Sequence, residues 1–114
     1  MTKREDDTSV TASSSNVFAD LGFANAELEL AKARMVQTIA DEIERRGLSQ
    51  RDAGSIIGLP QPKLSTLLRG HWSSYSLDRL VRFTTLLGLD VTVRIERTGD
   101  ATSDDKPGHL TVAA

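Results

Sequence analysis

The 114-residue chain contains no cysteine and only three prolines, and aromatic residues make up 4 % of it. Without cysteine, neither a disulfide framework nor a thiolate zinc site can form. With so few aromatic side chains, the core must consist of leucine, isoleucine, valine and alanine, a composition that favours a small helical bundle over a β-sandwich. At this length we expect a single domain.

Long apolar runs are also lacking. No run approaches the roughly 18 residues that a membrane-spanning helix needs, and the first residues have no apolar centre like that of a secretory signal. We therefore predict a cytoplasmic protein without a membrane segment. His71 and His109, the two histidines, have no second ligand at a metal-like spacing. Neither a metal nor a cofactor is predicted, and with no catalytic motif present we do not expect an enzyme.

The chain as a whole has no large excess of either charge, since its net charge is −2, but one stretch of it is net positive. Residues 49–88 contain five lysine or arginine residues against two aspartates, whereas the sequence on either side is net negative. A basic block inside an acidic chain indicates a restricted surface for a polyanion such as DNA.

Periodicity and helix-breaking residues divide the chain into three parts. Residues 1–15 are rich in serine, threonine and charge and are predicted to be a disordered tail, and residues 98–114 are predicted to be a flexible tail. The domain would span residues 16–97. In it we predict a lead-in segment followed by four helices, at residues 26–46, 50–57, 62–69 and 77–87.

After the last helix the period changes. Residues 90–97, DVTVRIER, alternate between polar and apolar, which is typical of a strand with one buried face. A strand cannot satisfy its own backbone N–H and C=O groups, and the chain has no second convincing strand. We therefore predict that the strand pairs with a second copy across a two-fold axis, so that the dimer interface contains Val91, Val93 and Ile95.

Two short amphipathic helices meet at a tight turn in SQRDAGSIIGLPQPKLSTLLRG, residues 49–70. Ala53 and Gly54 are small enough for the helices to cross, and Gly58 accepts a positive φ. The second helix keeps its leucines inward and carries polar side chains that can reach base edges and phosphates. This is the pattern of a helix-turn-helix motif. An ordinary helical hairpin with a solvated face is the competing interpretation.

Residues 49–70, with the helix that follows, resemble the DNA-binding domain of Cro/repressor-type (Xre) regulators. The wider pattern, from NVFADLGF at residue 16 to GLDVTVRI, resembles HigA-type antitoxins of bacterial toxin–antitoxin operons. The resemblance implies a mainly α-helical, four- to five-helix Cro/repressor-like domain with one C-terminal β-strand paired across a dimer. It also implies a repressor of its own operon that neutralises a small basic RelE/HigB-like mRNA endonuclease.

Nine residues in and around the motif are predicted to contact double-stranded operator DNA. Two begin the first motif helix, where backbone and side-chain donors can hold a phosphate, and Ser76 begins the next helix in the same way. The others lie on the second motif helix or at its end. The nine residues are Gln50, Arg51, Gln61, Pro62, Lys63, Ser65, Thr66, Arg69 and Ser76.

Toxin contacts are predicted in the lead-in segment at Phe18, Leu21 and Phe23, with packing on the chain's own first helix as the alternative. Trp72 and Tyr75 either touch the DNA backbone or cover the core. Two other functions are also compatible with the sequence: a stand-alone Xre-type repressor without a toxin, and an interaction module that no longer binds DNA.

Overall fold

The computed structural model describes residues 25–97 and 107–114 of the chain. Four helices follow one another in this part, with short connections between them, and all four predicted helices are confirmed with bounds that differ by at most one residue. The tail at residues 1–15, the lead-in segment and its predicted toxin contacts (Phe18, Leu21 and Phe23) lie outside the described residues. The helices are α1 (Asn25–Arg45), α2 (Gln50–Ile57), α3 (Gln61–Leu68) and α4 (Leu77–Leu86).

Helix α1 provides one long apolar face that packs against α4. Five of the buried apolar residues of this helix are spaced by three and four, which places them along one side of it. The leucine, methionine and isoleucine side chains among them each contribute about 1.5–3 kcal/mol when removed from water. The pair α1–α4 is thus the platform on which α2 and α3 sit. The five residues are Leu28, Ala31, Met35, Ile39 and Ile43.

Local side-chain caps define where the short helices begin. The Ser49 hydroxyl accepts a hydrogen bond from the backbone N–H of Asp52 at 3.0 Å, which starts α2. The Ser76 hydroxyl accepts one from the backbone N–H of Arg79 at 3.1 Å, which starts α4. Each cap satisfies a donor that the first helical turn would otherwise leave unpaired.

Gly54 is needed for close packing inside the motif, although glycine is a poor helix former. A Cβ atom at this position would overlap the carbonyl oxygen of Leu59, the residue that follows the turn after α2. The backbone N–H of Leu59 in turn donates to the Gly54 carbonyl oxygen at 2.9 Å. The glycine costs about 0.5–1 kcal/mol of helix stability, but it lets the chain turn back directly onto α2.

The predicted strand at residues 90–97 has no ladder partner among the described residues. Its backbone is not in regular secondary structure, and the side chains of Val93 and Ile95 are 82 % and 91 % exposed. Arg94 and Glu96 form an exposed ion pair, with 3.1 Å between Nε and Oε2. The strand and its pairing across a dimer therefore stay a prediction.

The C-terminal residues 107–114 lie against α1, where we expected a flexible tail. Leu110 and Val112 pack partly buried on the core. The Leu110 N–H donates to Glu27 Oε1 at 2.6 Å, and Arg34 donates to the Val112 carbonyl oxygen at 3.0 Å. The Leu110 N–H, together with His109, lowers the pKa of the Glu27 carboxyl group below its ordinary value.

Candidate nucleic-acid interface

The two helices of the motif, α2 and α3, are hydrogen-bonded to each other at their N-terminal ends, in addition to being linked by the turn. Gly58 has a φ of 77° and ends α2, and the buried Leu59 then directs the chain into α3. At the N-terminal ends of α3 and α2, the Gln61 side-chain amide donates to the Gln50 side-chain oxygen at 3.1 Å. Two predicted DNA contacts from different helices therefore form one hydrogen-bonded unit on the surface.

Helix α3 has one buried and one exposed side. Leu64 and Leu67 are fully buried, which fixes how the helix sits on the core. Five of the predicted contact residues lie on the rest of its surface, and Arg69 follows its last turn in exposed backbone. Gln61, Pro62 and Lys63 are exposed, whereas Ser65 and Thr66 are half-buried.

Two hydroxyl groups among the predicted DNA contacts already make hydrogen bonds to backbone groups of their own helices. The Thr66 hydroxyl donates to the Pro62 carbonyl oxygen at 2.7 Å, so it can offer a ligand only an acceptor. Ser76 is 4 % exposed and its oxygen already caps α4. Of the predicted contacts, Arg51 on α2 is exposed and Gln50 half-buried.

The connection between α3 and α4 is held by aromatic packing. Tyr75 is buried and meets Phe83 edge to face, with 6.1 Å between ring centroids. Trp72 is half-buried and packs on the core. Of the two alternatives for these aromatics, the structure therefore supports covering the core.

Arg79 is a cation of α4 for which the sequence leaves two places open, the DNA side and a carboxylate partner at the dimer interface. Its guanidinium lies over two rings, 4.8 Å from the Tyr75 centroid and 5.5 Å from the Phe83 centroid. Arg79 and Phe83 are both on α4 and lie four positions apart, the separation that brings two side chains together on one face of a helix. Tyr75 precedes α4, so its place under the guanidinium comes from the fold of the α3–α4 connection. The spacing of Arg79 and Phe83 is the part of this arrangement that the sequence indicates.

A buried lysine of α1, Lys32, is hydrogen-bonded to the connection between α3 and α4. Lys32 is 3 % exposed, and its ammonium group donates to the Ser73 carbonyl oxygen at 3.3 Å and lies 3.4 Å from a Glu29 carboxylate oxygen. A buried ammonium group is costly unless it is paired. Lys32 therefore holds the α3–α4 connection at a defined position.

An open recess lies between α3 and α4, and its walls are largely polar. Residues of α3, of the α3–α4 connection and of α4 surround a volume of about 320 Å³. Lysine, arginine and histidine side chains line it, and no carboxylate does. We call it the α3–α4 recess; it is lined by Lys63, Thr66, His71, Ser74, Tyr75 and Arg79.

Membrane-spanning helices and metal sites are both absent from the described part of the chain. Among residues 25–97 and 107–114, no helix has the length and apolar character to cross a membrane. In the same residues, no group of three or more histidine, aspartate or glutamate side chains is placed to hold a metal ion.

Two short helices at a glycine turn, the second exposed and polar at its leading end, define a helix-turn-helix module, a DNA-binding class of domain. The family model for a helix-turn-helix domain matches residues 17–96, and the chain belongs to this family. A solved structure of a protein assigned to the XRE family of transcriptional regulators has a TM-score of 0.70 and 27 % sequence identity. The match covers 80 % of this chain and 99 % of that one. Curated proteins gave no match.

Proposed function

We propose that the chain is a dimeric, sequence-specific repressor that places α3 in the major groove of operator DNA. The hydrogen bond between Gln61 and Gln50 is the observation that supports this best. It orients Gln61 while leaving that amide one N–H and its oxygen, which is the pair an adenine edge requires. Gln50 keeps both of its N–H donors for a neighbouring phosphate.

Dimerisation would follow from the alternating segment after α4. Val91, Val93 and Ile95 would form the buried face of a strand paired with a second copy, and the last two are almost fully exposed in the single chain. A two-fold dimer would present two α3 helices to successive major grooves, about 34 Å apart. The operator would then be an inverted repeat.

The finer proposal is that the repressor is the antitoxin of a type II toxin–antitoxin pair. It rests on the resemblance of residues 16–23 and 88–95 to HigA-type antitoxins. The partner would be a small basic RelE/HigB-like endonuclease, contacted through Phe18, Leu21 and Phe23. A stand-alone Xre-type repressor is the second candidate, and the similarity to an XRE-family regulator over 80 % of the chain favours it.

A mobility shift on the DNA upstream of the chain's own gene, against a scrambled copy, tests the DNA-binding proposal. Lys63→Ala or Arg69→Ala should cost roughly 1–3 kcal/mol of binding free energy if the residue reads a base, and should relax specificity there. If the residue touches only phosphate, all sequences should lose affinity about equally. Arg45→Ala, which removes an exposed cation of α1 outside the basic block, is the matched control. If both variants bind like this control, the assignment of α3 as the recognition helix is wrong.

Co-expression with the neighbouring gene, followed by mass determination of the purified complex, tests the antitoxin proposal. We expect a small basic partner in a fixed ratio, and we expect Phe18→Asp to release it while Ser14→Asp does not. A homodimer without any partner would contradict the antitoxin role and leave the stand-alone repressor.

A further inference from the structure

The α3–α4 recess has the chemistry of an anion site. Lys63 and Arg79 bring two positive charges to it, and the exposed Ser74 adds a hydroxyl donor. Its volume of about 320 Å³ is at the lower end of the range for small-ligand clefts, roughly 300–1,000 Å³. Since no carboxylate lines the recess, an anion would meet donors without a competing negative charge.

The cation at the centre of this chemistry is held in place before any ligand arrives. Arg79 stacks on Tyr75 and Phe83, which limits its rotamers. The wall that carries Ser74 is in turn fixed by the hydrogen bond from Lys32 to Ser73. A donor set with few conformations to lose binds with a smaller entropic cost than free surface side chains do.

The position of the recess indicates which anion it meets. Lys63 belongs both to the recess and to the exposed surface of α3, so a group bound there would lie immediately beside whatever α3 contacts. A double helix carries a phosphate at regular intervals on both sides of each groove. Contacts of this kind determine register and orientation and do not read the base sequence.

We propose that the α3–α4 recess binds one backbone phosphate of the DNA that α3 reads, with Arg79 as the main partner and Lys63 and Ser74 completing the site. The proposal rests on the DNA-binding function proposed above. It assigns Arg79 to affinity and register, in contrast to the base contacts proposed for α3. Inorganic phosphate has the same chemistry, and the experiment separates the two sources.

The first arm compares Arg79→Gln with Arg82→Gln, which removes the same charge from an exposed position of α4 outside the recess. Arg79→Gln should weaken binding of operator and scrambled DNA equally, by about ten-fold. The slope of log K against log salt should fall by about 0.9. Arg82→Gln should change affinity less than about two-fold. A loss confined to the operator would mean a base contact and overturn the proposal.

The second arm locates the phosphate. Neutral methylphosphonate groups are placed one at a time along the operator backbone, and at one position per half-site the wild type should lose about ten-fold in affinity. Arg79→Gln should lose clearly less than the wild type at that position, because its main partner charge is already absent and only Lys63 and Ser74 remain. Full additivity at every position would overturn the assignment.

The remaining outcomes are also decisive. If amide NMR shifts near Ser74 respond to inorganic phosphate while no methylphosphonate position couples to Arg79, the recess is a free-anion site and the DNA proposal is wrong. If wild type binds DNA and Arg79→Gln binds like Arg82→Gln, only the recess assignment fails; if wild type binds no DNA, the proposed function fails with it. Should Arg79→Gln melt early, the exposed Ser74→Ala carries the coupling test.

Discussion

The motif at residues 50–68 and the segment at residues 90–97 have equally regular patterns but different outcomes. In the motif, Leu59, Leu64 and Leu67 are buried, and the turn closes on Gly54 through a backbone hydrogen bond. In the segment, Val93 and Ile95 lie in solvent, and the backbone has no ladder partner in the part of the chain that the structure describes. The helical motif is thus complete within one chain, whereas the strand pattern needs a partner strand.

The physical reason is where each structure finds its hydrogen bonds. A helix pairs its N–H and C=O groups four residues apart along the same chain, so the pattern and its partners are local. A strand must take its partners from another strand. The period-two pattern of residues 90–97 therefore predicts a state that depends on a second strand.

Replacing Leu67 by alanine should have the largest effect on the free energy of unfolding, because it opens a cavity in the packed helical motif. Leu67 has no exposed surface on the inner side of α3, and the cavity should cost about 2–5 kcal/mol of the free energy of unfolding. Urea unfolding measures this loss. Leu68→Ala, at the half-buried neighbouring position, should cost clearly less, and equal losses would contradict the described packing of α3.

Gly54→Ala should follow, since the added methyl group would overlap the Leu59 carbonyl oxygen. We expect a loss of roughly 1–3 kcal/mol in the free energy of unfolding, although alanine is the better helix former. Ser55→Ala, at an exposed position of the same helix, should be neutral or slightly stabilising. A Gly54→Ala variant with a raised melting temperature would exclude the close turn.

The double variant Val93→Ser/Ile95→Ser tests the second region of the comparison, the predicted strand at residues 90–97. Because both side chains are exposed in the single chain, the free energy of unfolding of the monomer should change by less than about 0.5 kcal/mol. Sedimentation equilibrium should nevertheless show loss of the dimer. Thr92→Ser, on the opposite face of the predicted strand, should leave the dimer intact; dissociation in both variants would argue against the strand register.

The smallest expected effect is on the acid dependence of stability. The Arg45 guanidinium donates to Glu42 at 3.0 and 2.7 Å and lowers the pKa of that carboxyl group below its ordinary value of 4.5. A pKa that is lower in the folded state adds stability above the unfolded value, and the gain is lost as the pH falls through the folded one. Glu42→Gln should flatten this acid loss in melting curves, whereas Glu44→Gln should not.

The sequence predicts much of the candidate interface, but not every residue of it equally well. Seven of the predicted DNA contacts lie exposed or half-buried on one continuous part of the chain, from the start of α2 to the end of α3. Ser76 was predicted for its place at a helix start, and the structure shows its hydroxyl used by the helix itself. For Arg79 the sequence leaves the DNA side and the dimer interface open, because its position depends on the rings beneath it.

What the sequence determined by itself is the set of four helices, their caps and their buried stripes, because each depends on residues within about one turn of one another. The tertiary structure alone decided the contacts between distant residues. Lys32 meets Ser73 across 41 positions, and Glu27 meets Leu110 across 83. No periodicity encodes such pairs, because they depend on how α1 packs with α4, with the α3–α4 connection and with the C-terminal residues.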